Sequence, residues 1–492
     1  MERGRVIKKV ALSLLVFGGG LVALLVGRAL NVDAIKSIPP KLPPESFAPP
    51  IAKHLSGAVG IATISHEDPA DDDPQAFGRL GRYLEESFPL VHEKLELRRF
   101  EGGSRLYRWP GLQPDAAPLL LLAHMDVVPV EPGTEAQWAH EPYSGDIADG
   151  FIWGRGVMDD KLGVVGNLEA AESLLAEGWS PRRDIYFAFG HDEEVGGESG
   201  AGAMAAYLRE RGVRPTMVLD EGGAVVEGAL PGVSEPVALI GIAEKGYTTV
   251  RLTVELEGGH SSMPAPEGSI SVLSEALLAV QSHPLPARLE AAPRAMLETI
   301  APAADFATRV VATNLWLLEP VLLAAMGSKP APASTIRTTT ALTIVRGGTK
   351  DNVLPARAEA TINFRTLPGD TERTIVEHLR RVIDDERVVI EVTQNRPASP
   401  TSDAEGANFE ALRGIVGETF ELRLVAPYLV VGGTDARHYT DLSNDVYRFL
   451  PIHFGGEEDR KRLHGTNERI AVEDAKRAVW FYRRVLEHFG GS

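Results

Sequence analysis

The chain contains no cysteine among its 492 residues, and it has fewer basic than acidic residues. Without cysteine, disulfides, thiolate metal sites, iron–sulfur clusters and cysteine nucleophiles are excluded, so only histidine, aspartate and glutamate could hold a metal. Lys and Arg number 50 against 68 Asp and Glu, which gives a net charge of −18. Such a surface repels phosphate backbones and argues against nucleic acid as a partner. The length and the 44% hydrophobic content predict two or three folded domains.

The N-terminal segment combines a basic end with a long apolar run. Four basic residues lie among the first nine, and Val10–Val26 then carries no charge. This run exceeds the ~7–15 apolar residues of a cleavable signal and nearly crosses a ~30 Å hydrocarbon layer. The pattern predicts a signal anchor at residues 1–30, with the rest of the chain outside the cytoplasm, in a periplasmic or extracellular space. The small residues Gly27 and Ala29 leave a cleaved, secreted form as an alternative.

The rest of the chain predicts a catalytic domain that is interrupted by an inserted domain. Residues 51–246 and 396–492 alternate apolar strands with helical patterns, as expected for βαβ units and a mostly parallel sheet. Residues 247–395 have the element order β-α-β-β-α-β of a ferredoxin-like sandwich. Its expected strands are Thr248–Glu257, Thr339–Val345, Arg357–Arg365 and Val388–Thr393, and its helices are Ser269–Gln281 and Glu372–Asp384. The predicted fold class is α/β with an inserted α+β domain.

Two intervals need a separate interpretation. Residues 31–50 are rich in proline, which favours an extended, semi-rigid linker that would hold the folded part away from the membrane. The stretch Ala301–Met326, inside the inserted domain, is unusually apolar. It is either additional helical core or a surface that faces an apolar substrate, and the sequence favours the first.

Acidic and histidine residues cluster at the carboxyl ends of the predicted strands, the edge at which open α/β sheets bind ligands. His124 and Asp126 follow an apolar strand and share one face, so a carboxylate could orient an imidazole that binds a metal. Further clusters contain Asp159-Asp160, Glu193-Glu194, Asp220-Glu221 and His464. Each alone could be a helix cap or a solvated turn.

Taken together, these clusters predict a metal site of oxygen and nitrogen ligands. The candidate ligands are His124, Asp159, Glu194, Glu221 and His464. Two histidines with three carboxylates suit zinc, and one carboxylate could bridge two ions about 3.5–4 Å apart. A dication would also explain why adjacent carboxylates end a strand.

Six motifs carry a resemblance to a known family. They are HMDVVP, GRGVMDDK, GHDEEVGG, VLDEGG, GHSS and HGTNE, in this order along the chain. Their order and spacing resemble the aminoacylase and carboxypeptidase S branch of the co-catalytic zinc metallopeptidases, peptidase family M20, including the secreted N-fatty-acyl-amino-acid hydrolases. The resemblance extends from about Ile51 to the C-terminus.

The resemblance implies two zinc ions per subunit. His124 and Glu221 would bind one ion, Glu194 and His464 the other, and Asp159 both. Asp220 remains an alternative to Glu221. 

The resemblance also implies the roles of residues that bind no metal. Asp126 would orient His124, and Glu193 would be the general base. His260 of GHSS would polarise the scissile carbonyl in the active site of a partner subunit, in a homodimer paired through the inserted lid domain. Asn352 and Arg437 would bind substrate, the latter as a fork on a free carboxylate.

These features predict an exported, membrane-anchored dinuclear zinc metallohydrolase. It would cleave the amide bond to an amino acid with a free carboxylate, in a small peptide or an N-acyl amino acid, and could run in the synthetic direction. The apolar stretch and the anchor favour hydrophobic substrates. The alternative is a catalytically silent zinc-dependent binding or scaffold protein, although neither Glu193 nor Asp126 is needed merely to hold zinc.

Overall fold

The computed structural model describes residues 2–491, without the side chains of residues 2–11, 13, 14 and 69. The α-helices of these described residues are α1 Glu2–Leu30, α2 Ile51–Val59, α3 Ala76–Ser87, α4 Pro89–Lys94, α5 Lys161–Ala176, α6 Ala201–Glu210, α7 Ser269–Ser282, α8 Ala291–Ile300, α9 Phe306–Ala312, α10 Leu315–Gly327, α11 Pro330–Ile336, α12 Glu372–Ile383, α13 Ala407–Phe420, α14 Glu457–Arg460 and α15 Val472–Gly491. The strands are β1 Glu96–Arg99, β2 Arg105–Trp109, β3 Leu119–His124, β4 Ile147–Ala148, β5 Phe151–Trp153, β6 Ile185–Gly190, β7 Met217–Asp220, β8 Val225–Val226, β9 Val237–Glu244, β10 Gly246–Glu255, β11 Gly259–His260, β12 Thr339–Gly347, β13 Val353–Leu354, β14 Arg357–Thr366, β15 Val388–Arg396, β16 Val425–Val430, β17 Val446–Arg448, β18 His453–Phe454 and β19 Arg469–Ala471.

The catalytic domain is built on a ten-stranded sheet. Its order is β1-β2-β6-β3-β7-β17-β9-β8-β18, and β16 pairs with β9 beside this path. The centre, β6-β3-β7-β17, is parallel, and every residue of β3 and β6 is buried. Alternate residues of these strands join two hydrophobic clusters, one with α5 and α15 and the other with α6. Burial on both faces explains the continuous apolar runs of the sequence and confirms the predicted mainly parallel α/β fold.

A second, four-stranded sheet has the order β12-β14-β10-β15, and all its pairs are antiparallel. Val250, Leu252 and Val254 alternate along β10 and pack under α7 and α12 in a hydrophobic cluster of their own. Strand order and helix placement are those of the ferredoxin-like sandwich. We call this unit, with the two-stranded antiparallel sheet of β11 and β13, the lid.

The helices between α7 and β12 pack on the catalytic domain instead of the lid. Side chains of α8 to α10, among them Met296, Ile300 and Leu315, belong to the hydrophobic cluster of the catalytic domain, and α8 lies against β16. The apolar stretch is thus partly helical core. Phe306 and Trp316, however, are exposed on its surface.

The N-terminal segment contacts the same helices. Arg28 Nε donates to the Thr313 carbonyl over 3.1 Å, and Asn314 Nδ2 donates to the Leu25 carbonyl, also over 3.1 Å. No single helix within the described residues is both long and apolar enough to cross a membrane. Helices α9 and α10, bent by 119° at the break between them, meet that criterion as a pair.

The proline-rich segment, residues 31–50, has an irregular backbone but does not form a free spacer. The Trp480 indole donates to the Lys41 carbonyl over 2.7 Å, and the rings of Phe47 and Trp480 lie 5.1 Å apart. Ile38 also packs on the core of the catalytic domain. The segment is therefore docked on the catalytic domain through its apolar side chains, and its role in holding the folded part away from the membrane stays a prediction.

Candidate active site

His124 ends the central strand β3 and is almost fully buried. Its Nδ1 lies 3.0 Å from the Asp126 carbonyl oxygen and 3.4 Å from Asp126 Oδ1, while its Nε2 lies 2.9 Å from Asp159 Oδ1. Asp126 in turn accepts hydrogen bonds from the backbone N–H groups of Glu193 and Glu194, over 3.1 and 3.0 Å. Asp126 thus fixes both the imidazole and the loop after β6.

Asp159 connects two sides of the site. Its Oδ1 lies beside His124, and its Oδ2 lies 2.9 Å from His464 Nε2. The neighbouring Asp160 has a separate task, because its Oδ1 accepts from the Gly163 N–H over 3.0 Å and caps α5. The structure therefore places Asp159, and not Asp160, between the two histidines.

Three groups of side chains bring potential ligand atoms within 4.8 Å of one another. One group contains His124, Asp159 and Glu221, and another contains Asp159, Glu194 and His464. The third joins His124 to both Glu193 and Glu194. The first two groups share Asp159 and contain the predicted residues in their predicted pairs.

Asp220 lies outside these groups among the described residues. Its Oδ1 accepts from the Glu221 N–H over 2.9 Å, and its Oδ2 accepts from the Ala436 N–H over 2.7 Å. Both oxygens therefore have backbone partners, which favours Glu221 over Asp220 as a ligand.

The electrostatics of the cluster favour a bound cation. Burial raises the pKa of Glu194, and it raises those of Glu193 and Glu221 well above the ordinary value. Burial has the same tendency at Asp159, but hydrogen bonds from His124 and His464 hold its pKa below the usual range. Burial thus disfavours the charged form of Glu193, Glu194 and Glu221, and a bound cation would favour it.

Two further observations fit a metal. Contacts with Asp159 and Glu194 raise the pKa of His464 to about 10, so a proton occupies the position that a cation would take. Glu194 Oε1 is buried without a hydrogen bond, since it lies 3.3 Å from His464 Nε2 but outside hydrogen-bond geometry. Carboxylate and imidazole donors of this kind suit zinc.

Sequence reasoning missed a buried ion pair that holds the two ligand loops together. Glu468 Oε2 lies 2.7 Å from Arg155 Nη1 and accepts from the Gly156 N–H, and its Oε1 accepts from the Met158 N–H, each over 2.9 Å. Arg155 Nη2 also donates to the His464 carbonyl over 3.0 Å. The pair therefore joins the loop of Asp159 to that of His464. Glu468, the last residue of the motif HGTNE, was visible in the sequence. Its partner Arg155 lies 313 residues earlier, so the sequence did not indicate the pair.

The lid residues are not part of this cluster. His260 lies exposed on the two-stranded sheet of β11 and β13, and the Asn352 carbonyl there accepts from the Ser261 N–H over 3.2 Å. The Ser262 N–H and hydroxyl both donate to His260 Nδ1, over 3.1 and 2.8 Å. In the neutral imidazole the proton then sits on Nε2, which is left free to donate to a substrate oxygen.

Arg437 lies beside the loop that carries Glu193. It belongs to a short 3₁₀ helix, Asp435–Tyr439, and its Nη2 donates to the Gly196 carbonyl. His438 Nε2 lies 3.2 Å from the same carbonyl. One nitrogen of the guanidinium therefore already has a partner within the protein. Of the three residues predicted to contact substrate, the structure brings Arg437 close to the loop of Glu193, whereas His260 and Asn352 lie on the lid.

Comparison with known proteins decides the family. The model of peptidase family M20/M25/M40 matches residues 120–488. The chain belongs to this family. It is therefore a hydrolase of the metallopeptidase type, and its family is metal-dependent.

Relatives and solved structures agree with this assignment. The chain is 39% identical to "Probable carboxypeptidase S-like 2" of Dictyostelium discoideum, over 89% of this chain and 85% of that protein. It is 36% identical to human "N-fatty-acyl-amino acid synthase/hydrolase PM20D1", over 88% and 86%. An M20 family metallo-carboxypeptidase from Sulfolobus solfataricus has the same fold, with a TM-score of 0.63 at 16% identity and coverage of 90% and 100%.

Proposed function

We propose that the chain is a dinuclear zinc hydrolase that cleaves the amide bond to an amino acid with a free carboxylate. The observation that carries this proposal is the position of Asp159, one oxygen beside His124 and the other beside His464. Glu221 would complete one ligand set and Glu194 the other. Bound zinc would supply Lewis-acid polarisation of the scissile carbonyl and a lower pKa for the attacking water.

The chain's own residues divide the remaining work. Glu193 takes the proton of the attacking water and passes it to the leaving amine, a role supported by its position beside His124 and Glu194. Asp126 orients His124 and the Glu193 loop through its three contacts. His260 donates from Nε2 to the oxygen that becomes negative in the transition state.

The substrate preference follows from two features. Arg437 beside the Glu193 loop would bind the free carboxylate, and Asn352 would contact the substrate from the lid. The name of the human relative describes action on N-fatty-acyl amino acids. We propose that the preferred substrates are hydrophobic N-acyl amino acids and that small peptides are the second substrate class.

Dimerisation through the lid would complete the site. The ligand cluster lacks His260, and β12 is an edge strand that pairs with β14 alone among the described strands. Leu342, Ile344 and Val345 are exposed along this strand. Such an apolar edge is a ready surface for a second copy, whose His260 would enter the site of its partner.

We also propose that α1 anchors the protein in a membrane, with the catalytic part outside the cytoplasm. The described part of α1 supports this by exposing large apolar side chains at Leu15, Val16 and Phe17. A cleaved, secreted form remains the alternative.

The proposed activity is tested by one combined measurement. Purified protein is assayed for zinc content and for hydrolysis of a panel of dipeptides and N-acyl amino acids. We expect two zinc ions per chain and cleavage of N-acyl amino acids with long acyl chains. A single ion per chain at full activity would contradict the dinuclear centre, and exclusive cleavage of dipeptides would contradict the substrate assignment.

A further inference from the structure

Helices α9 and α10 expose an apolar surface and contain only two charged residues. Phe306, Trp316 and Val321 are 51%, 58% and 60% exposed. The only charged residues between positions 306 and 327 are Arg309 and Glu319. Glu319 accepts from Arg294 Nη2 over 2.6 Å, and Arg309 Nη2 donates to the Ala304 carbonyl over 2.8 Å. Glu319 is therefore ion-paired, whereas Arg309 is bonded to a backbone carbonyl and keeps its positive charge. We call Phe306, Trp316, Leu317 and Val321 the apolar patch.

The position of the apolar patch is fixed relative to α1. Thr313 and Asn314, in the turn between α9 and α10, hydrogen-bond to the last turns of α1 through Arg28 and the Leu25 carbonyl. Asn314 is fully buried in this contact. The same part of α1 exposes apolar side chains, with Val22 59% exposed. The two exposed apolar surfaces therefore belong to adjoining, directly bonded elements.

We propose that the apolar patch inserts into the interfacial layer of a lipid bilayer, the same bilayer that α1 would enter. The proposal rests on the proposed anchor. Helices of 7 and 13 residues, bent by 119°, are each too short to span a bilayer but suit a position in the plane of its surface. Exposed tryptophan beside leucine, valine and phenylalanine is the composition that the membrane interface favours.

The charge of the protein indicates which force drives this contact. The net charge of −18 disfavours anionic lipids, so we expect attraction to headgroups to contribute little to the insertion. Burial of apolar side chains remains, and it acts equally on zwitterionic lipids and is little changed by salt. The binding surface is therefore a bilayer of neutral headgroups.

The contact gives the catalytic domain a defined orientation on the membrane. Residues 31–50 are docked on the domain through Trp480, so they cannot act as a loose tether. Helix α8, which precedes α9 in the chain, packs on β16. After β16 the chain continues into the short 3₁₀ helix that contains Arg437. The surface that meets the membrane and the proposed carboxylate site thus belong to one packed unit.

The absence of cysteine makes a direct test straightforward, because single-cysteine variants of the full chain can be labelled without background. The chain is reconstituted in phosphatidylcholine vesicles with an environment-sensitive fluorophore at Val321→Cys, and quenching by spin-labelled lipids is measured. Leu112→Cys is the matched control, since Leu112 is 74% exposed and follows β2, on the far side of the parallel centre from β16. Val22→Cys reports on α1 alone, and Trp316→Cys is a second probe of the apolar patch.

The probes at positions 321 and 316 should be quenched severalfold more than the probe at 112, in zwitterionic vesicles and at high salt alike. Quenching at 22 with water-exposed probes at 316 and 321 would overturn the apolar patch while the anchor stands. Water-exposed probes at all four positions would overturn both. Quenching at 316 and 321 that needs anionic lipid and disappears with salt would contradict the apolar mechanism.

Discussion

The ligand cluster and the two-stranded sheet of the lid differ in how firmly the chain itself holds their histidines. His124 and His464 contact Asp159, and the loops around them are joined by Asp126 and by the buried Arg155–Glu468 pair. His260 lies exposed on a two-stranded sheet and is oriented only by Ser262 among the described residues. A metal centre can thus be built within one chain, whereas the group that would polarise the substrate must be brought to it.

The largest effect should come from the base within the cluster. Glu193→Gln removes the group that accepts the proton of water, so kcat should fall by about 10²–10⁴-fold. Zinc content and thermal unfolding should stay close to those of the unchanged protein, because Glu193 lies beside the ligand sets that share Asp159. Steady-state kinetics with metal analysis checks this prediction. Near-normal turnover of a metal-loaded variant would remove Glu193 from the mechanism.

A smaller effect is expected at Arg437. Lysine cannot form two parallel hydrogen bonds to a carboxylate, so Arg437→Lys should lower kcat/KM by about 10- to 100-fold on substrates with a free carboxylate. Amidated substrates should already be poor for the unchanged protein and should lose little more in the variant. Comparing acid and amide forms in both proteins isolates this interaction. An equal loss on both forms would show that Arg437 acts only through its bond to Gly196.

The Arg155–Glu468 pair should affect the metal more than the substrate. Glu468→Gln weakens the link between the loops of Asp159 and His464, and we expect zinc affinity to fall about 10- to 100-fold, with kcat restored by excess zinc. Competition with a chromophoric chelator measures the affinity. Glu473→Gln is the matched control, because Glu473 is exposed and, among the described residues, is bonded only to nearby Lys476. Unchanged zinc affinity in Glu468→Gln would leave the pair a purely structural role.

The protonation of His464 should appear in the energetics of metal binding. Its pKa of about 10 means that the metal-free chain carries this proton at pH 7, and a ligand imidazole must lose it. Zinc binding should therefore release protons, and zinc affinity should rise with pH up to about pH 10. Calorimetry at one pH in buffers of different ionisation enthalpy gives the number released. Identical heats in all buffers would contradict a protonated His464.

The sequence predicted the strands and helices that are determined by residues close together in the chain. The apolar run before His124 indicated a buried parallel strand, and the element order of the lid indicated its sandwich. The sequence could not predict the packing of α8 to α10 on the catalytic domain, because that choice depends on contacts with β16 and α1. It also missed Glu468, whose role exists only when two distant loops meet.

The most direct test of the account asks whether His260 acts across two subunits. His260→Ala and Glu193→Gln chains, each inactive alone, are mixed under conditions in which subunit exchange is verified with distinguishable tags. If His260 completes the site of its partner, random exchange should restore about one quarter of the unchanged sites, since half the dimers are mixed and each mixed dimer has one intact site. A mixture that exchanges subunits and stays inactive would contradict a composite active site.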